Sequence, residues 1–185
     1  MPTQPAVLVV CTIALLCVAA LWDITQRRVP NLLVFPAALL GVALQLAFWG
    51  WQGGFVAVGG MGVGLALLLP VYLLGTTGAG DVKLMAAVGT FLGPQDAALA
   101  ALASIAVGSV VALGYAASSL FQRESVTPWR RWGLMCRTLV TTLRPIYLPP
   151  AEGEVMGRKF PFAVSIALGT TLFLAWPLIQ ARLPV

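Results

Sequence analysis

The apolar runs of this chain constrain its fold more than any other feature. They cover residues 7–22, 31–49, 55–74, 82–92, 97–121 and 160–179. Most approach the ~20 residues that cross about 30 Å of hydrocarbon. The residues are 59% hydrophobic and 9% charged, far from the ~25% charged of soluble domains. The sequence therefore predicts an all-α polytopic membrane protein, a single domain over 1–185 built as a six-transmembrane-helix bundle. The first run has no basic segment before it, and Asp23, Arg27 and Arg28 follow it in place of a small-residue cleavage site. It is expected to stay as a permanent helix.

A net charge of +5 raises nucleic acid as a partner, and the placement of the cations answers the question. With the amino terminus outside, Arg27, Arg28, Lys83, Arg123, Arg130, Arg131, Arg137, Arg144, Arg158 and Lys159 lie in inner loops, and only Arg182 lies outside. This is the positive-inside pattern. The basicity sets orientation, the inner side is cytoplasmic, and no nucleic acid is expected. Loop 122–159, with the middle stretch "PWRRWGLMCRTLVTTLRP", repeats arginine every seven residues at 123, 130, 137 and 144, with Trp132, Met135, Leu139 and Leu143 on another side. That profile predicts one cytoplasmic interfacial amphipathic helix from near Pro128 to before Pro145, drawn to anionic membrane lipids. Docking of an acidic partner is the alternative.

Histidine is absent, which removes Ser-His-Asp and Cys-His catalysis, HExxH zinc sites and histidine proton relays. Cys11, Cys17 and Cys136 show no C-x-x-C spacing and are expected as buried thiols, so no metal and no cofactor are expected. Rows of small residues, Gly60 with Gly64 and Ser104 with Gly108, Ala112 and Ala116, permit close helix approach. They suit internal packing or a dimerisation face, and the oligomeric state stays open.

Of the six acids, Asp96, Glu124, Glu152 and Glu154 lie in turns or loops. Asp23 closes the first run and Asp81 opens the fourth. Two complete spans separate them, so both belong to one side of the membrane. From Asp81 the fourth run reaches Gly93-Pro94 after about twelve residues, roughly 18 Å of helix. This places Asp81 about 10 Å below the cytoplasmic boundary if Gly93 marks the outer surface. An acid at that depth is a candidate for function, and non-helical backbone there needs protein or a water-filled cavity beside it. Two carboxylates sharing a low-dielectric cavity tend to hold one proton between them. One can then take a proton from water while the other donates to a carbonyl under attack. Interfacial anchoring or helix capping is the bland alternative. A small proton- or cation-conducting transporter component is the rival function, although the outer halves of the spans offer little polarity beyond Thr12, Gln45 and Ser109. A Ser-Lys hydrolase lacks a serine at helical spacing from Lys83 or Lys159.

Gly78 to Asp81, "GAGD", matches the G-x-G-D signature of intramembrane-type aspartyl proteases. The longer "GAGDVKLMAAVG" resembles the type IV prepilin peptidase branch, particularly its short members serving Flp/Tad-type pili. "DITQRRVPNLL" is similar to the segment holding that family's other catalytic aspartate before a basic turn and Val29-Pro30-Asn31, and "FPFAVSIALG" is similar to its last helix. The presenilin and signal-peptide-peptidase branch shares G-x-G-D, but its Pro-Ala-Leu motif and Tyr-Asp pair are missing.

The resemblance implies an aspartic endopeptidase of the bacterial inner membrane, its site facing the cytoplasm. Its substrates would be type IV prepilin or pseudopilin precursors, which lose a short basic leader after a glycine. Asp23 and Asp81 take the catalytic roles, and Gly78 and Gly80 shape the loop. Lys83 tunes Asp81, orients substrate or snorkels to the interface. Pro30 and Asn31 fix the turn and start the second helix, or touch substrate. Larger relatives carry an amino-terminal cytoplasmic region with paired C-x-x-C motifs, associated with methylation. It is absent here, so cleavage without methylation is expected.

Overall fold

The computed structural model describes residues 5–73, 77–120, 133–134, 137–138, 141 and 162–180, without the side chains of 115–120 and 177–179. Five helices account for nearly all of them: α1 (Ala6–Gln26), α2 (Asn31–Leu73), α3 (Ala79–Leu92), α4 (Pro94–Leu120) and α5 (Phe162–Gln180). No strand occurs among the described residues. The helices Ala6–Gln26 and Asn31–Leu73 and the stretch Pro94–Gly114 are long and apolar enough to cross a membrane, and Phe162–Trp176 is a shorter apolar helix. The chain divides into two compact units, Met1–Gly108 with Pro161–Val185, and Ser109–Phe160.

The second predicted run and the third up to residue 73 fall within α2, which is broken only at Gly50 (φ 58°, ψ −146°). The sequence leaves 50–54 as a turn, whereas one left-handed glycine reverses the chain and Trp51 is already helical. Contacts at its glycines show how the two arms use α3. Gly60 lies against Gly89 and Gly64 against Met85, so arm 51–73 runs antiparallel to α3. Gly41 lies against Thr90, and Gln45 Nε2 donates to Phe91 O at 2.9 Å, so arm 31–49 runs parallel to it. That bond also satisfies one of the carbonyls left open at the end of α3. Clasped in this way, α3 is buried from Asp81 to Leu92 at every position but Lys83.

Within the same unit, α5 packs antiparallel to α4. Gly169 meets the backbone of Ser104, Gly108 meets the Phe162 ring, and Ser104 Oγ donates to Ala100 O at 2.6 Å with a longer approach to Ile166 O at 3.4 Å. Gly60, Gly64, Ser104 and Gly108 thus serve packing within the unit, as close-approach rows do in lipid, while Ala112 is exposed. Large apolar side chains such as Val10, Leu21, Leu39, Phe55 and Val110 point outward, as expected of surfaces solvated by lipid. Cys17 is among the exposed residues and Cys11 is half-buried. The expectation of buried thiols therefore fails for Cys17, because an outward position in an apolar solvent suits a thiol as well as a core does.

In the loop, Gly133, Leu134, Arg137, Thr138 and Thr141 are helical. Thr138 Oγ1 donates to Leu134 O at 2.9 Å, and Thr141 Oγ1 donates to Arg137 O at 2.8 Å. The rest of the predicted interfacial helix, including Arg130, Cys136 and Arg144, and Arg123 before it, lie outside the described residues.

Candidate active site

Asp81 is the third residue of α3, and its place follows from the four residues "GAGD". Gly78 forms the N-cap in extended conformation (φ −88°, ψ 155°). Its carbonyl accepts the Asp81 N–H at 3.1 Å, and its own N–H donates to Asp81 Oδ2 at 2.9 Å. The aspartate thus reaches back to cap its own helix, with the positive end of the helix dipole beside it. It is 6% exposed, a degree of burial that a carboxyl tolerates only with such donors.

Asp23 lies one turn before the end of α1. Its main-chain carbonyl accepts the N–H of Arg27 at 2.8 Å, and Arg27 closes the helix in the left-handed region (φ 52°). A non-glycine residue there costs roughly 1–2 kcal/mol. The residue is 5% exposed, and its Oδ2 accepts the N–H of Ala163 at 3.1 Å. Ala163 is the second residue of α5, so its N–H has no acceptor within its own helix. Each aspartate therefore has one oxygen on a helix N-terminus, and α1 packs against both α3 and α5.

The remaining residues singled out from the sequence gather at the same end of α3. A Cβ on Gly80 would touch Val29 at 3.3–3.4 Å, so the 27–30 turn rests on the first turn of α3. Pro30 opens α2, its carbonyl accepting the N–H groups of Leu33 at 3.1 Å and Val34 at 3.4 Å. Lys83 Nζ donates to Asn31 Oδ1 at 3.1 Å and lies 5.7 Å from the centre of the Phe35 ring. The lysine joins α3 to the start of α2 through Asn31, a contact none of its three expected roles includes.

Three participants escape the sequence reading. The first is the Ala163 N–H, whose only signal is a proline, Pro161, at the inner start of the predicted run 160–179. The second is the Phe35 ring under Lys83. The third is Thr77, whose Oγ1 is buried without a hydrogen-bond partner, one residue before the donor that holds Asp81. Farther along the helices, Thr12 Oγ1 donates to Leu8 O at 2.8 Å, and Gln45 is bound to Phe91 as described. Their donors are thus engaged by backbone. Among the described residues no cluster of three or more acids or cysteines could hold a metal ion.

Residues 10–113, more than half of the chain, match the type IV leader peptidase family. The chain belongs to that family. Membership makes it a peptidase of the prepilin peptidase type, acting on protein precursors, and its apolar helices are those of a membrane protein. Comparison with curated proteins and with solved structures gives no significant match. The matched segment includes Asp23, Asp81 and the turn between α1 and α2, and it ends before α5.

Proposed function

We propose that this leader peptidase is an aspartic endopeptidase in which Asp23 and Asp81 act as a pair. Its substrates are type IV prepilin or pseudopilin precursors of the Flp/Tad kind, cut after a glycine at the cytoplasmic face of the bacterial inner membrane. The membrane crossings are α1, the two arms of α2, α3, α4 and α5, with the amino terminus outside. The observation that carries this reading is the burial of both aspartates, each with one oxygen on a helix N-terminus, in a chain without histidine.

The chemistry needs no metal and no covalent nucleophile. One ionised aspartate accepts a proton from water as its oxygen attacks the scissile carbonyl carbon, while the other, protonated, donates to the carbonyl oxygen. The tetrahedral intermediate collapses as the C–N bond breaks. The first aspartate passes its proton to the departing amine, and the second recovers one from the intermediate's hydroxyl. The pair, not either member, owns the shared proton. Gly78 and Gly80 keep the approach to Asp81 narrow, while Pro30, Asn31 and Lys83 hold the turn beside it.

The test co-expresses the chain with candidate pilin precursors and follows leader removal. Asp23→Asn and Asp81→Asn are each expected to lower processing about a thousandfold or more, in the upper part of the usual contribution of one acid-base group because the two act as a unit. Both variants should accumulate in the membrane. Normal processing by either variant rejects the assignment, and ion flux in liposomes without proteolysis favours a transporter.

A further inference from the structure

Asp23 and Asp81 differ in what fixes them. Asp81 is held by a residue three positions away. Asp23 stands near the end of a helix whose neighbouring side chains Leu21, Trp22 and Ile24 are exposed, and among the described residues the hydrogen bond to its side chain comes from Ala163, 140 residues away. An aspartate has two free side-chain torsions, so burial alone leaves its carboxyl several directions. We propose that Ala163 is a positioning residue: its backbone N–H, presented by the N-terminus of α5, fixes the direction in which the Asp23 carboxyl faces Asp81.

Three features of α5 suit this task. Ala163 is fully buried and Phe162 nearly so, which keeps water from competing for the bond. The helix is set against α4 by the Gly169–Ser104 and Gly108–Phe162 contacts, so its N-terminus is fixed by packing. The donor is also one of the N–H groups that a helix start cannot use itself, and it adds its share of the helix dipole at no cost to the helix. The family match ends at residue 113, so the part that completes the Asp23 seat comes from beyond the matched segment. The inference rests on the aspartate-pair reading.

A proline in the first turn of a helix removes an N–H without breaking an intrahelical bond. Ala163→Pro therefore removes the donor, Val164→Pro places the same ring one residue on, and Ala163→Gly keeps the donor without the methyl. With a pilin precursor as substrate, Ala163→Pro is expected to lower kcat about a hundredfold, as a misdirected reacting group does. KM should stay within about twofold of wild type, since substrate grip is untouched. Val164→Pro and Ala163→Gly should keep most of kcat. Wild-type kcat in Ala163→Pro, or an equal loss in Val164→Pro, overturns the proposal.

A measurement independent of proteolysis decides the matter if Ala163→Pro fails to accumulate. Amide hydrogen exchange at Ala163, followed in detergent micelles, is expected to quicken about tenfold or more in Asp23→Ala relative to wild type as the bond is lost. Unchanged exchange shows that the tether does not exist. That outcome is separate from failure of the aspartate pair, which appears as normal processing by Asp23→Asn or Asp81→Asn.

Discussion

Asp81 and Asp23 are both seated on helix N-termini, one on its own helix and the other on a distant one. Asp81 sits at the start of α3, clasped by both arms of α2 and buried almost everywhere, and it caps the helix it belongs to. Asp23 sits at the end of a half-exposed helix and is held by α5. The first seat is made by four consecutive residues and rigid surroundings. The second exists only once α1 and α5 have packed. Two groups of one type can therefore depend on different parts of the fold, and damage to the two parts should look different.

The largest effect is expected on the Asp81 side. A Cβ on Gly60 would come within 2.8–2.9 Å of the Gly93 and Gly89 backbone, and a Cβ on Gly89 would strike the Gly60 carbonyl. Backbone cannot rotate aside as a side chain can. Gly60→Val and Gly89→Val should each cost about 3 kcal/mol or more, the upper range for overpacking. Little protein should then reach the membrane, and the thermal midpoint of what does should fall. A variant that accumulates at wild-type level with an unchanged midpoint breaks the picture of α3 as the rigid member. The Ala163→Pro variant belongs between this extreme and the mild case, with protein present but turnover slow.

The smallest effect is expected where the two seats are joined through the 27–30 turn. Lys83→Met and Asn31→Ala each remove the 3.1 Å bond between α3 and α2, and Lys83→Met also removes the cation over Phe35. Each should cost about 1 kcal/mol, the usual worth of an exposed polar contact of this kind. Processing should fall only a few-fold, and the double variant should lose little more than Lys83→Met alone. Additive losses, measured in a double-mutant cycle, would mean that Lys83 acts elsewhere, on Asp81 or on substrate.

These differences also explain what the sequence makes legible. The limits of α3 and the position of Asp81 are readable because Gly78, Gly80 and Gly93 punctuate a short segment and every interaction involved is local. The expectation that Asp23 and Asp81 share a side comes from counting spans between them. The partner of Asp23 is not readable, since nothing within a helix reveals which distant N-terminus will meet it. Nor does the sequence separate inward from outward positions on α1. Its lipid-facing side is as apolar as its packed side, so Cys17 and its neighbours carry no periodic signal. The turn at Gly50 is narrower than "WGWQGGF" suggests because one positive-φ glycine suffices.

The most direct test of the account is a proximity measurement between positions 23 and 81. In a background carrying Cys11→Ser, Cys17→Ser and Cys136→Ser, the pair Asp23→Cys with Asp81→Cys is treated with a short bismethanethiosulfonate in native membranes. Asp23→Cys with Asp96→Cys serves as control, since α3 runs on from Asp81 to Leu92, about 18 Å of helix, before Asp96 is reached. The account predicts efficient cross-linking of 23 to 81 and little of 23 to 96. No link between 23 and 81, or equal linking of both pairs, would contradict it.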